Sequence, residues 1–323
     1  MNKENLLKEF RKKQYRFAGS GEAAVQVCEW NKRALRGKGH CYKQDFYGAH
    51  CVSCHQITPS ALWCNNSCVF CWRPMEYMKG KLPLPIDPEK MIEALIEERK
   101  VLITGFKNSD KKARKRYDAA MEEKHWAISL SGEPTLYKKL PELISLLKKR
   151  PKTETVFLVT NGQNPEMLLR LWNENSLPTQ LYVSMVAPNE NLYRKITRNT
   201  EKNGWKNYLK SLALLKLLPC RTVIRLTLIK DLNDSAKTLK EFVEVLETVQ
   251  SDFVEVKAYM HLGYSKERLR YEQMPMHLEV KKVSSFLLEK MPSYGFEAEK
   301  KESRITLLKN KKSRFKTKII NRS

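Results

Sequence analysis

Three cysteines, Cys64, Cys68 and Cys71, stand at intervals of four and three in the apolar, aromatic stretch LWCNNSCVFCW (62–72), and no fourth follows at a matching interval. A closed structural zinc site takes four ligands, usually as two short pairs, because a complete tetrahedron leaves the ion nothing to react with. Three thiolates on one short loop suit instead a 4Fe–4S cube with three irons held by protein and the fourth open to an outside ligand. Buried, inert thiols are the plainer reading of any cysteine, and the tight spacing argues against it here. Cys28, Cys41, Cys51 and Cys54 precede the triad, so seven of the eight cysteines lie between residues 28 and 71. Spacing alone leaves two options for this upstream group. It fits a closed zinc site with Cys51 and Cys54 as its CxxC half, or three ligands to a second cluster. Cys220, alone in LLPCRTVIRL, reads as a packed small hydrophobe.

The elements that must position these thiols follow the triad. Short apolar, β-branched runs occur at 125–130, 155–160, 180–185, 221–229 and 252–260, each reading as a strand. Amphipathic segments separate them, one opened by Asp87-Pro88-Glu89, a good helix start. With QITPSALW (56–63) as a first strand there are six βα units. That predicts an α/β fold with a parallel sheet, curved or barrel-like, with function at the strands' C-terminal ends. The polar residues fall there: Ser131, Gly132, Glu133 and Pro134 after the second strand, TNGQNP (160–165) after the third, Ser184 and APNE at the fourth. Each alone is an ordinary turn. At successive strand ends downstream of a CxxxCxxC loop they form a constellation.

Composition narrows the partners. The 323 residues carry 60 Lys+Arg against 36 Asp+Glu, a formal net charge of +24, which points to a polyanion, nucleic acid being the commonest. The start, MNKENLLKEFRKKQYRF, lacks the apolar core of a signal peptide, and no apolar run is long enough to span a membrane. The expectation is a cytoplasmic protein with no membrane partner, in which eight cysteines serve as metal ligands rather than disulfides.

CxxxCxxC at 64–71 followed by SGEP at 131–134 in a six-unit α/β chain resembles the radical S-adenosylmethionine (SAM) superfamily. The resemblance implies a partial (βα)6 TIM-like barrel and a 4Fe–4S cluster on Cys64, Cys68 and Cys71, whose open iron is chelated by the amino and carboxylate groups of SAM. It puts Gly132 and Glu133 near the SAM amino group, makes Asn161 and Ser184 carboxylate or ribose contacts, and packs Phe70 and Trp72 near the cluster. A closer resemblance runs from about Cys28 to MPMH (274–277), through CYKQDFYG (41–48), TNGQNP, LYVSMVAP (181–188), RLTLIKDLND (225–234) and VEVKAYMHLGYS (254–265). These stretches resemble the single-domain, archaeal type of the 4-demethylwyosine synthase family. The activity implied is condensation of N1-methylguanosine-37 of tRNA-Phe with a two-carbon piece of pyruvate, giving the tricyclic core of wyosine and wybutosine.

That resemblance also implies a second 4Fe–4S cluster on three evenly spaced N-terminal cysteines. Cys28, Cys41 and Cys54 match, thirteen residues apart each time, and Cys51 is the departure that leaves the third ligand open between Cys54 and Cys51, with even spacing favouring Cys54. Lys43, two residues after Cys41, takes the place of a lysine that forms a Schiff base with pyruvate; against this stands the ordinary role of lysine as a solvated surface charge. Within the family a larger type carries an N-terminal flavodoxin-like domain. The stretch before Cys28 has no room for one, so a separate electron donor is expected. The chain thus divides into an N-terminal cluster-binding extension (1–55), the barrel (56–291), and a C-terminal strand pair with a basic tail (292–323). KNSDKKARKRY (107–117), with six Lys/Arg and one Asp, and the tail from residue 309, with seven and no acid, suit phosphate contacts along a tRNA. A solvated face or a free tail is the competing reading. Nothing demands more than a monomer. Two rivals fit parts of this pattern: another radical SAM RNA modifier, a methyl- or methylthiotransferase, and a non-catalytic zinc-containing RNA-binding protein, which leaves the open triad and the SGEP loop without a reason.

Overall fold

The computed structural model describes residues 3–78, 85–107 and 111–319. Its strands are β1 Arg16–Ala18, β2 Ala23–Gln26, β3 Cys54–Thr58, β4 His125–Ile128, β5 Thr155–Thr160, β6 Gln180–Met185, β7 Arg221–Leu228, β8 Phe253–Ala258, β9 Tyr294–Lys300 and β10 Ile305–Asn310. They form one sheet in the order β1-β2-β3-β4-β5-β6-β7-β8-β10-β9. β3 to β8 run parallel, β2 pairs antiparallel on β3, and β10 pairs antiparallel on β8. The sheet is the open, six-unit parallel arrangement expected, extended by a hairpin at each edge. The first parallel strand begins two residues earlier than its hydrophobicity suggests and ends at Thr58, so 59–63 is loop. Pro59 removes a backbone donor that a continuing central strand would need.

Asp87 caps the helix Pro88–Ile103 by accepting from the amides of Glu89 and Lys90, both at 3.1 Å. Asn164, Asn189 and Ser235 cap Pro165–Asn173, Glu190–Thr197 and Ala236–Val249 in the same way. The helix Glu190–Thr197 was not expected; only its middle residues are apolar, and its buried Tyr193, Ile196 and Thr197 report tertiary contacts.

Alternation along the strands divides the sheet into two unlike faces. One carries Ile57, Trp126, Ile128, Val156, Leu158, Leu181, Val183, Ile224, Leu226, Val254 and Val256, all buried in the main core with the helices. The other carries Phe157, Tyr182, Val223 and Phe253, packed against Tyr42, Phe46 and Tyr47 of a short helix, Tyr42–Tyr47, that plugs the inside of the barrel. On that inner face β7 and β8 also present Arg225, Glu255 and Lys257. The tail returns over the plug: the amide of Ile319 donates to the carbonyl of Tyr47 (3.0 Å), and Arg221 donates to the carbonyls of Lys316 and Thr317. Of the basic segments, residues 108–110 and 320–323 lie outside the described residues; 111–120 form a helix with one buried residue.

Leu226 is fully buried on the outer face. Leu226→Ala should cost about 2–5 kcal/mol, read as a lower urea midpoint with unchanged slope.

Candidate active site

The triad loop is held by a network of amides. Ser67 and Val69 donate backbone N–H to the carbonyls of Thr197 (2.8 Å) and Ile196 (2.9 Å). Asn199 Nδ2 donates to Asn66 Oδ1 (2.6 Å) and Gln163 Oε1 (3.2 Å), and Asn161 Nδ2 to Asn65 Oδ1 (2.7 Å) and towards Cys64 Sγ (3.7 Å). Buried polar groups of this kind are satisfied together or not at all, which is why so polar a loop can be set within the barrel mouth. Cys64, Cys68 and Cys71 are half-buried. Burial raises all three thiol pKa values, Cys64 to about 12, and Cys64 and Cys71 both add to the rise at Cys68. Phe70 packs against the core, whereas Trp72 is 42 % exposed with the Arg73 guanidinium 4.4 Å over its ring, so only the first of the two aromatics is packed as expected.

The loop after β4 is locked onto the triad loop through Gly132. Its φ is +69°, and a Cβ there would stand 1.8 Å from the Ser60 carbonyl and 2.5 Å from that of Trp63. Only glycine allows that approach. The next amide, of Glu133, donates to the Trp63 carbonyl (2.8 Å). The Glu133 side chain is buried; Oε1 accepts from Thr160 Oγ1 (2.6 Å) and Thr135 Oγ1 (2.7 Å), and Oε2 from the amide of Asn161 (2.8 Å). Burial raises its pKa and those hydrogen bonds oppose the rise. Gly132, Glu133, Asn161 and Cys64 are thereby one assembly. Ser184 stands apart on the inner face of β6, opposite Arg225 in the register with β7.

The upstream cysteines gather at the other end of β3. Cys28 precedes the helix Glu29–Leu35, Cys41 precedes the plug helix, and Cys54 is the first residue of β3. These three are half-buried, with the pKa of Cys28 pushed up to about 12 and that of Cys54 to about 11 by burial. Cys51 is buried and its sulfur accepts from the amide of Cys41 at 3.4 Å. β3 runs from Cys54 to Thr58, and the triad follows in the loop beyond its C-terminal end.

Lys43 enters the barrel from the plug helix, near Cys41 and Cys54. Its Nζ lies 4.3 Å from the Phe157 ring centroid and 4.9 Å from that of Tyr182. Burial lowers its pKa, with the Arg225 cation adding to the effect. Beside it, Glu255 accepts from Arg225 Nε (2.9 Å), Tyr47 OH (2.8 Å) and Tyr42 OH (3.2 Å), while Arg225 Nη2 reaches Tyr42 OH at 2.6 Å. Lys257 donates to the Ser303 carbonyl (2.8 Å), and burial pushes its pKa down to about 8. Sequence reading missed Arg225, Glu255 and Lys257. Their signal is charge at alternate positions within otherwise apolar strands, as in RTVIRLTL and FVEVKA, where the sheet is covered on both faces.

Among the described residues, no three His, Cys, Asp or Glu side chains are placed to hold a single metal ion. A cubane asks for thiols at separate corners, each on its own iron. Three half-buried thiols on a clamped loop, with the Asn161 amide reaching towards Cys64, fit that demand. Among the described residues, no helix is long and apolar enough to cross a membrane.

The open parallel sheet and the triad on its first loop define a radical SAM protein, and residues 58–246 match the model of the Radical SAM superfamily. Such a protein uses SAM and a 4Fe–4S cluster. Residues 248–310 match a second model, Wyosine base formation. The S-adenosyl-L-methionine-dependent tRNA 4-demethylwyosine synthase of Pyrococcus abyssi is 40 % identical over 93 % of this chain and 86 % of its own. The enzyme of the same name from Methanocaldococcus jannaschii is 37 % identical over 98 % and 99 %. A solved structure of TYW1 with a lysine-pyruvate adduct bound superposes with a TM-score of 0.87 at 36 % identity, covering 98 % of this chain and 99 % of that one. The chain belongs to the tRNA 4-demethylwyosine synthase family.

Gly132→Ala should push the two loops apart. The expected result is loss of most of the iron bound by the triad after anaerobic reconstitution, with the fold retained by circular dichroism.

Proposed function

We propose that this chain condenses N1-methylguanosine-37 of tRNA-Phe with the two-carbon fragment of pyruvate to form 4-demethylwyosine. The observation that carries the reading is Lys43, a desolvated amine inside the barrel, on a helix whose preceding residue is Cys41. When bound, the triad's cluster and SAM supply a hydrogen-abstracting radical. Cys64, Cys68 and Cys71 hold that cluster; Gly132 and Glu133 receive the amino group of SAM, and Asn161 and Ser184 its carboxylate and ribose. Cys28, Cys41 and Cys54 hold a second 4Fe–4S cluster. Cys54 is favoured over Cys51 because the Cys51 sulfur is already engaged by the Cys41 amide.

Lys43 attacks the carbonyl of pyruvate through its neutral amine, and burial together with Arg225 favours that form. The resulting Schiff base holds the fragment while the C–C bond breaks. Arg225, itself fixed by Glu255 and Tyr42, and Lys257 supply positive charge for an anionic substrate. A separate donor supplies the electrons.

The tRNA backbone has a counterpart in a cavity of about 600 Å³ bordered by Lys32, Arg36, Lys107 and Arg116. Arg36 lies over Phe106 at 5.1 Å and Arg116 Nε donates to the Leu35 carbonyl at 2.9 Å. Among the described residues no carboxylate pairs with Lys32, Arg36 or Arg116, which leaves their charge for phosphates.

Borohydride reduction with labelled pyruvate should mark Lys43; active enzyme left unlabelled there removes it from the mechanism. Anaerobic iron and sulfide analysis should count two clusters, one surviving when Cys64, Cys68 and Cys71 are all alanine. A product heavier by one methyl or thiomethyl group, instead of the ring closure, would assign a different radical SAM reaction. Replacing Lys32 and Arg36 by Glu should weaken tRNA binding on the order of tenfold or more and flatten its salt dependence, as lost phosphate contacts do.

A further inference from the structure

Among the described residues, no carboxylate is bound to the buried guanidinium of Arg99. It lies on the inward side of the helix Pro88–Ile103 and is 2 % exposed. Its guanidinium donates to main-chain carbonyls: Nη1 to Ala120 (2.5 Å), Nη2 to Val52 (2.9 Å) and Cys54 (3.4 Å). Carbonyl dipoles solvate a cation without neutralising it, and a buried ion left without a counter-charge is strongly unfavourable. The groups acting on it are Cys54 and Cys28, then Glu123, then Cys51. Glu123 is itself engaged by Arg150 at 2.6 Å. The remaining neighbours are the upstream cysteines, and one of the carbonyls that Arg99 holds belongs to Cys54. A thiolate-bound cluster there would bring net negative charge into a dry site beside a fixed positive one.

We propose that Arg99 is the counter-ion of the cluster held by Cys28, Cys41 and Cys54, a positioning residue that anchors the Cys54 segment and favours the cluster's reduced, more negative state. The inference rests on the second-cluster reading. A neighbour supplies the control for hydrogen bonding alone. Asn31 Nδ2 donates to the carbonyls of Cys51 (2.7 Å), Val52 (3.3 Å) and Cys54 (3.2 Å), two of which also accept from Arg99, and Asn31 brings no charge.

The experiment uses the full chain with Cys64, Cys68 and Cys71 replaced by alanine, so that only the upstream cluster reports. It is reconstituted anaerobically and read by iron content and by an EPR-monitored redox titration. Into this parent go Arg99→Met, Arg99→Lys and Asn31→Ala. Arg99→Met should lose iron, or lower the reduced-to-oxidised ratio at a given solution potential on the order of tenfold; Arg99→Lys and Asn31→Ala should stay close to the parent. Parental iron and potential in Arg99→Met would overturn the proposal. So would an equal shift in Asn31→Ala, which would assign the effect to carbonyl capping. If Arg99→Met fails to fold, Arg99→Lys decides, since a shift with the charge retained also overturns it. A parent without iron removes the second cluster itself, and is told apart from a failure of Arg99 because it appears before any Arg99 variant is made.

Discussion

Glu255 is completely buried on the inner face of β8, and two other elements depend on its carboxylate. Arg225 comes from β7, and Tyr42 and Tyr47 from the plug helix. A carboxylate in such a place is tolerable only when paired and hydrogen-bonded. Removing one partner of a buried pair costs about 3–5 kcal/mol, because the other charge is left uncompensated. The same bonds therefore stabilise the barrel interior and fix the helix that carries Lys43. Because Cys41 is the residue before that helix, the position of the upstream cysteines is tied to Glu255 as well.

The second joint is steric. Gly132 lets the loop after β4 lie on the backbone of the triad loop, and Glu133 gathers Thr135, Thr160 and the Asn161 amide around one carboxylate. β3 connects the two joints, with Cys54 at its start and the triad beyond its end. The inner face of the neighbouring strands carries the aromatic and charged residues that surround Lys43.

The division of labour between the faces of the sheet explains how so polar an interior is affordable. The outer face is mostly apolar and buries the helices, so stability comes from that side. The inner face is free to hold Arg225, Glu255, Lys257 and Lys43, whose burial would be a liability in a core that had to stabilise the fold by itself. Surface charge is distributed differently. Many exposed Lys and Arg pair with a carboxylate three or four residues away along a helix, while among the described residues Lys32, Arg36 and Arg116 beside the helix Glu29–Leu35 meet no carboxylate.

Much was readable from residues alone. Short apolar, β-branched runs identified all six parallel strands, because a strand buried on both faces needs β-branched and aromatic residues wherever it is placed. Asp87-Pro88 marked a helix start through its own side chain. The triad's spacing and the loop glycine were visible because each belongs to a short local pattern, whereas Lys43 was singled out by the family resemblance. Tertiary structure alone decided the rest. Arg225, Glu255, Lys257 and Arg99 look like ordinary charges until the sheet curls and brings strands β7 and β8 over a helix nearly two hundred residues earlier. The first parallel strand was placed two residues late because Cys54 and His55 owe their strand conformation to pairing with β4, a contact between distant segments. Local chemistry is written in neighbours along the chain; the burial of a charge depends on neighbours in space, and no window of sequence contains them.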